Sequence, residues 1–165
     1  MPQNSLQQQL VTYLTDVHST EQNALSTLRA GADSVDDEEL AAAFRQHLAE
    51  TEEHERLVQG RLDAHGAGPS TLKDVAQKGV AAVTGAIASA APDTSGKMLI
   101  QAYAFEHLEI ASYRMLRQVA RRAGDQETVQ VADRILEQEH AAAQTLSDLL
   151  ERVADHDLRQ MGLAA

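Results

Sequence analysis

Four segments of the sequence carry apolar side chains at intervals of three, four and seven residues, which is the spacing of one face of an α-helix. Glycine and proline residues separate these segments, at Gly31, at residues 66–71, at residues 92–96 and at Gly124. Periodicity and turn signals together predict four amphipathic helices, over about residues 5–30, 35–65, 95–123 and 126–156.

The ends of these helices carry signals of their own. Gly31 is predicted to end the first helix, with Asp33 or Ser34 as the cap of the second. Gly124 is predicted to cap the third helix at its C-terminus, because glycine adopts the left-handed conformation readily. Asp125 then opens the fourth helix.

The composition favours an all-α domain. Aromatic residues make up 3% of the chain and tryptophan is absent, so the core must consist of close-packed aliphatic side chains on helices. A chain of 165 residues can fold as one domain, which we expect to span residues 1–165. The lack of cysteine excludes disulfides, cysteine-ligated zinc and thiol catalysis.

A long connection, residues 66–94, joins the second and third helices. It carries almost no charge after Lys78 and is rich in alanine, valine and glycine, which predicts a short crossover helix. Two helical hairpins with a long connection between them predict an antiparallel four-helix bundle of ferritin-like topology. The apolar surface Val80–Ala91 would be exposed in a monomer, which favours a homodimer.

The chain is strongly acidic, with a formal net charge of −11. Nucleic acid and anionic membrane surfaces would repel it, so neither is expected as a partner, whereas metal cations would be attracted. The N-terminal stretch lacks the basic start and apolar core of a signal peptide, and no apolar run is long enough to span a bilayer. We therefore expect a cytoplasmic location.

Carboxylates interrupt the apolar faces of the predicted helices. Glu109 occupies an apolar position of the third helix, and Glu106 lies one turn earlier on nearly the same face. The other residues of that face are Met98, Ala102, Phe105, Ser112, Leu116 and Val119. A buried carboxylate without a partner costs several kcal/mol. These glutamates therefore require a cation, a proton or a path to water.

The two halves of the chain repeat this arrangement. Glu21 and Glu50 are 29 positions apart in the first half, and Glu109 and Glu139 are 30 positions apart in the second. Each pair joins a carboxylate in the middle of one helix to a carboxylate in the middle of the next. In an antiparallel hairpin this spacing brings the members of a pair to the same height.

Inward carboxylates at one height, with an imidazole one turn away, form the ligand set of dinuclear metal sites in helical bundles. His54 follows Glu50 by four residues, so both lie on one side of the second helix. Hard divalent cations take oxygen ligands with some imidazole. We predict two bound divalent metal ions, iron first, with manganese or zinc as alternatives. The predicted ligands are Glu21, Glu50, His54, Glu106, Glu109 and Glu139.

Three further histidines are left open by the sequence. His18 and His47 lie near the predicted ligands, but a core histidine is often only hydrogen-bonded. Glu137-x-x-His140 has the spacing of a helical metal-binding motif, yet Glu137 points about 160° away from the face of Glu139. His140 therefore remains a second candidate at the edge of the fourth helix.

Three stretches carry a resemblance to a known family: FRQHLAETEEHERL at 44–57, AYAFEHLEIASY at 102–113 and ILEQEH at 135–140. With these motifs the chain resembles the YciE/YciF-like bacterial stress proteins, a branch of the ferritin-like superfamily related to rubrerythrins. The resemblance implies a dimeric helical bundle with a dinuclear iron site and a role in stress. In rubrerythrins a pair of glutamates on the third helix binds metal, which by resemblance assigns that role to Glu106 and Glu109.

The resemblance does not carry the activity over. Rubrerythrin helices bear Glu-x-x-His, whereas Glu50 and His54 are one residue further apart and the fourth helix lacks the equivalent histidine. If the site is catalytic, the expected reaction is oxidation of ferrous iron by oxygen or peroxide, as in a ferroxidase or peroxidase.

Two alternatives to this function stay open. One is a non-enzymatic stress or interaction bundle whose buried glutamates pair with arginine instead of metal. The candidate arginines are Arg45, Arg61, Arg114 and Arg134. The other is a di-iron enzyme that oxidises an organic substrate, which requires an apolar pocket beside the metal site.

Overall fold

The computed structural model describes residues 2–67 and 94–163. Within them the chain forms four α-helices, each at a predicted position. Their bounds are Pro2–Ser34 (α1), Glu38–Ala64 (α2), Ser95–Ala123 (α3) and Gln126–Gln160 (α4). The predicted crossover helix and the apolar surface Val80–Ala91 lie outside the described residues. In the described ranges, no helix has the length and apolar character needed to cross a membrane.

The four helices form the predicted antiparallel bundle. α1 packs against α2 and α3, and α4 packs against α3 and α2. Short connections at residues 35–37 and 124–125 make α1–α2 and α3–α4 antiparallel hairpins. Of these four helix–helix seams, the one between α2 and α4 is the least closely packed.

The end of α1 differs from the prediction. α1 continues through Gly31, and Asp37, not Asp33 or Ser34, caps α2. Gly31 is needed for packing and not for a stop, because a Cβ atom at this position would lie 2.9 Å from the ring of Phe44. The missing side chain lets α1 approach α2 closely.

The turn between α3 and α4 follows the prediction. Gly124 has a φ of 78°, in the left-handed region that favours glycine. The Asp125 side chain caps α4 by accepting a hydrogen bond from the backbone N–H of Thr128 at 3.1 Å. α4 continues beyond its predicted end, where Asp157 Oδ2 accepts a hydrogen bond from the backbone N–H of Gly96 at 2.9 Å.

Two apolar clusters fill the bundle, one towards each end. The first includes Leu14, Val58, Leu62, Leu116 and Ile135. The second includes Leu28, Leu40, Phe44, Leu99, Leu146 and Val153. Along each helix, the residues between the two clusters include buried polar side chains. The apolar clusters therefore enclose a polar layer in the middle of the bundle.

Candidate metal centre

The centre of the polar layer contains six buried acidic and histidine side chains, drawn from all four helices. Each is at most 5% exposed: Glu21 of α1, His47 and His54 of α2, Glu106 and Glu109 of α3, and Glu139 of α4. They point inward because each lies on the apolar face of its helix, where leucine, valine or phenylalanine occupies the positions one or two turns away.

The buried face of α3 is rotated relative to the predicted one. Three of the predicted face residues, Ala102, Glu109 and Leu116, are buried, whereas Met98, Phe105, Ser112 and Val119 are only half-buried. The additional buried residues include Leu99, Glu106, Tyr113 and Ala120. The rotation follows from the packing of α3 between α1 and α4. It places Glu106 as deeply inside as Glu109.

One set of ligand atoms, here called the His47 group, comprises His47, Glu106, Glu109 and Glu139. Each residue offers one ligand atom, and these atoms all lie within 4.8 Å of one another. His47 Nε2 is 3.1 Å from Glu106 Oε2 and 3.6 Å from Glu139 Oε2. These are close contacts without the alignment of a hydrogen bond. The spacing suits several ligands around one cation.

A second set, here called the Glu21 group, comprises Glu21, His54 and Glu139, with ligand atoms again within 4.8 Å of one another. His54 Nδ1 lies 3.0 Å from Glu139 Oε1 and 3.7 Å from Glu21 Oε2. Glu139 belongs to both groups, and its two oxygens approach different histidines. This carboxylate is therefore placed to bridge two cations.

Outer partners hold both imidazoles in position. His47 Nδ1 donates to Glu50 Oε2 at 3.2 Å, and His54 Nε2 donates to Gln138 Oε1 at 3.1 Å. In the neutral rings these bonds leave the inner nitrogens, His47 Nε2 and His54 Nδ1, free of a proton. A metal-binding histidine is commonly oriented in this way through its other ring nitrogen.

The polar atoms at the centre of this layer lack hydrogen-bond partners within the described part of the chain. They include both oxygens of Glu109 and of Glu139, one oxygen each of Glu21 and Glu106, and the inner nitrogens of the two histidines. Glu21 Oε1, in contrast, accepts a hydrogen bond from the hydroxyl of Tyr113. Buried polar atoms are normally paired. Oxygen and imidazole atoms that converge without partners fit a hard or borderline divalent cation.

In the metal-free centre, burial and the convergence of carboxylates raise the pKa values of Glu109 and Glu139. Burial, followed by the nearby carboxylates of Glu139, Glu21 and Glu106, raises the pKa of Glu109 well above its usual value. Burial is also the main cause that raises the pKa of Glu139 to about 7.

Burial alone would lower the pKa of both inner histidines, but their carboxylate neighbours outweigh it. Contacts with Glu106 and Glu50 raise the pKa of His47 to about 10. Contacts with Glu139 and Glu21 raise the pKa of His54 to about 9. Without metal, protonated histidines therefore balance part of the negative charge.

The four arginines of the non-metal alternative have their partners elsewhere in the described residues. Arg45 pairs with Glu38, Arg61 with Asp125 and Glu127, Arg114 with His140, and Arg134 with Glu53. Within the described residues, these four guanidinium groups therefore do not pair with the six buried side chains.

The structure brings five of the six predicted ligands together: Glu21, His54, Glu106, Glu109 and Glu139. Glu50 stands outside both groups, half-buried beside His47. His47, left open by the sequence, lies inside. His18 Nε2 is paired with Glu55 at 3.1 Å, and His140 is exposed. The orienting role of Gln138 gave no signal in the sequence, since an isolated glutamine on a helix is usually solvated.

A pocket of about 50 Å³ opens in the seam between α2 and α4 and reaches the centre. His47 and Glu106 line it, together with Glu50. Small side chains complete much of its wall, among them Ala43, Ala141 and Ala142. Pockets for organic ligands measure about 300–1,000 Å³. This space is below that range and suits ions, water and small oxidants.

Fold and site together define a class of protein, the ferritin-like helical bundles. The crystal structure of protein XCC3681 from Xanthomonas campestris is 32% identical to this chain, with a TM-score of 0.80 over 96% of this chain and 99% of that one. A ferritin-like, diiron-carboxylate protein from Bacillus anthracis shares the fold, at 17% identity and a TM-score of 0.73, over 88% of this chain and 97% of that one.

Sequence comparison assigns the family within this class. Residues 5–159 match the family described as "Domain of unknown function (DUF892)", and the chain belongs to it. Protein YciF of Escherichia coli is 26% identical over 153 residues, which cover 90% of this chain and 92% of YciF. The crystal structure of YciF, described as a stress protein, has a TM-score of 0.72 to this chain at 21% identity, over 91% of this chain and 97% of that one. The resemblance to YciE/YciF-like proteins is thereby confirmed.

Proposed function

We propose that this protein binds two divalent metal ions in the middle of the bundle. The His47 group holds one ion and the Glu21 group holds the other, with Glu139 as the shared ligand. The observation that carries this proposal is the convergence of buried oxygen and imidazole atoms that have no hydrogen-bond partner among the described residues. Two protonated histidines can balance only part of the charge of four buried carboxylates, and the four candidate arginines lie elsewhere.

Iron is the first candidate for both ions, with manganese and zinc as alternatives. Four carboxylates and two imidazoles suit all three metals. The diiron-carboxylate description of the Bacillus anthracis protein, whose fold is shared, supports iron. The description of YciF as a stress protein supports a role in stress.

If the centre is catalytic, two bound ferrous ions would supply two electrons that, with two protons, reduce hydrogen peroxide to two water molecules. The protein contributes the surroundings. The carboxylates compensate the charge of either oxidation state, Glu50 and Gln138 fix the imidazoles, and the apolar clusters keep bulk water away.

Anaerobic titration with ferrous iron tests the proposal directly. We expect about two equivalents per chain. We also expect a melting temperature that rises by roughly 5–10 °C when free metal is about 100 times the dissociation constant. An absorbance change on admission of air would support oxidation. Absence of uptake, with an unchanged melting temperature, would favour the non-enzymatic bundle without metal.

The pH dependence of stability should differ between the metal-free and the metal-bound protein. The folded-state pKa values of His47, His54 and Glu139 are all raised, to about 10, 9 and 7. The stability they contribute is fully present below their unfolded values and is lost as pH rises through the folded values. The melting temperature of the metal-free protein should therefore fall between about pH 6 and pH 10.

Metal affinity should increase as pH rises, because a bound metal ion must displace protons from both histidines. The rise in melting temperature caused by Mn²⁺ should therefore grow with pH over the same range. Scanning calorimetry in chelator and in excess Mn²⁺, at matched pH values, measures both trends. A manganese effect that is flat or shrinks with pH would contradict the assignment of the histidines as ligands.

Substitution of Glu109 separates the metal-binding function from the non-metal alternative. Glu109 is 1% exposed, and both of its oxygens lack hydrogen-bond partners in the described structure. Glu109→Met replaces this group by an apolar chain of similar length and should stabilise the metal-free protein by roughly 1–3 kcal/mol. The same change should remove much of the stabilisation by metal, since a thioether is a poor ligand for hard cations.

Glu151→Met, at an exposed position of α4, is the matched control and should change neither quantity appreciably. Calorimetry with and without Mn²⁺ provides the measurement. A Glu109→Met protein that is less stable without metal, or that keeps the full metal effect, would show that Glu109 has another role.

A further inference from the structure

The pocket between α2 and α4 lies at the most open part of the bundle. These two helices pack less closely than any other adjacent pair. The apolar clusters close the polar layer from both ends. Alanines at 43, 141 and 142 leave space where larger side chains would interlock. The pocket therefore gives the buried centre its contact with solvent on this side of the bundle.

Polar groups follow one another from the rim of this pocket to its floor. Gln46 is exposed at the rim, and its amide donates to Glu50 Oε1 at 3.3 Å. The side chain of Glu50 is 28% exposed, and its other oxygen contacts His47. On the inside, His47 and Glu106 are almost completely buried, and each has an atom without a hydrogen-bond partner in the described structure.

From this arrangement we infer that the α2–α4 pocket is the path by which a divalent cation reaches the centre, and that Glu50 transfers the ion from solvent to His47 and Glu106. The inference rests on the proposed metal binding and adds its route. A hydrated cation must exchange water for protein ligands as it enters a space of about 50 Å³. A carboxylate on the wall supplies the first replacement oxygen, and its negative charge attracts the ion.

The ligand groups along the path are spaced closely enough to pass an ion from one to the next. Glu50 contacts His47 directly, and His47 is 3.1 Å from Glu106. A ligand atom is therefore close to the ion at every point between the rim and the His47 group. The Glu21 group lies beyond, reached through the shared carboxylate of Glu139.

Uptake of Co²⁺ followed by its visible absorbance in a stopped-flow instrument tests this route without any enzymatic assay. The rate of the absorbance rise measures how fast Co²⁺ passes along the path. The final absorbance measures how much Co²⁺ the ligands hold at equilibrium. Ala142→Leu adds three carbon atoms to the pocket wall and replaces no ligand. It should slow both uptake and chelator-induced release by about tenfold or more, because the helices must then part locally before the ion can pass. The end point should stay the same, since all six ligands are retained.

Ala49→Leu is the matched control, since Ala49 is exposed on α2 and does not line the pocket. It should leave both rates unchanged. Ala141→Leu, at an exposed position on the rim, repeats the test if the first variant fails to fold. Glu50→Gln keeps the length of the side chain and removes its negative charge, and it should slow uptake by about tenfold or more.

Different failures identify different errors. If the parent protein takes up no Co²⁺ at equilibrium, the proposed metal binding fails and the route fails with it. If the parent binds Co²⁺ and the leucine variants at 141 and 142 load at the parent rate, the route is wrong and the metal centre stands. If Glu50→Gln takes up Co²⁺ at the parent rate, Glu50 does not transfer the ion.

Discussion

Glu139→Ala is expected to reduce metal binding from about two equivalents per chain to at most one. Glu139 is the shared member of the His47 group and the Glu21 group, so its loss takes a ligand from both sites. The Glu21 group would keep only two ligands, too few to hold a cation against water. The His47 group would keep three ligands and should bind at least about tenfold more weakly. Calorimetric titration with Mn²⁺ measures both the stoichiometry and the affinity.

The matched control for this variant is Glu137→Ala. Glu137 lies two residues earlier on α4, is exposed, and belongs to neither group. It should bind the full complement of metal with unchanged affinity. If Glu139→Ala still binds two ions as tightly as the parent, Glu139 does not bridge them, and the two groups do not form one dinuclear centre.

The fold follows closely from the sequence because helical periodicity is a local property. The apolar spacing placed all four helices, and the turn at Gly124 and Asp125 follows from the conformational freedom of glycine and the capping ability of aspartate. Gly31 shows the limit of local signals. Its role is to admit the ring of Phe44, a contact with another helix, and sequence spacing carries no trace of that contact.

Site residues could be predicted where a charged residue occupies a position on the apolar face of its own helix. Glu109 and Glu139 interrupt apolar stripes, and both are buried at the centre. The choice between His47 and Glu50 could not be made in this way. The two residues lie on the flank of α2, and the structure places the imidazole inside and the carboxylate outside. Which flank residue faces inward depends on the rotation of α2 against α4, and helical spacing alone does not determine that rotation.

The closure of the bundle ends depends on pairs that are distant in sequence. Asp37 and Arg152 are 115 residues apart, and two hydrogen bonds of 2.6 and 2.7 Å join them. Helical spacing carries no signal for a pair of this kind. Arg61 and Asp125 form a comparable ion pair between the end of α2 and the start of α4. These pairs hold α2 against α4 at both ends of their seam, with the pocket between them.

Asp37→Ala is expected to destabilise the folded protein by about 2–4 kcal/mol, although it removes no apolar core residue. The side chain of Asp37 is 2% exposed and makes two kinds of bond. It caps α2 by accepting a hydrogen bond from the backbone N–H of Leu40 at 2.9 Å, and it binds the Arg152 guanidinium through both oxygens. The bidentate contact holds the pKa of Asp37 below its usual value. The melting temperature should fall by roughly 5–15 °C.

Glu38→Ala is the control, because Glu38 is the next residue along the chain but is exposed, and its ion pair with Arg45 is solvated. It should have little effect on the melting temperature. Asp37→Ala should still bind about two Mn²⁺ per chain below its melting temperature, since no metal ligand is touched. Loss of stability together with loss of metal binding would mean that the contact at the start of α2 positions His47. Unchanged stability would mean that Arg152 and the α2 N-terminus are equally well satisfied by water, and that apolar packing alone keeps the α2–α4 seam together.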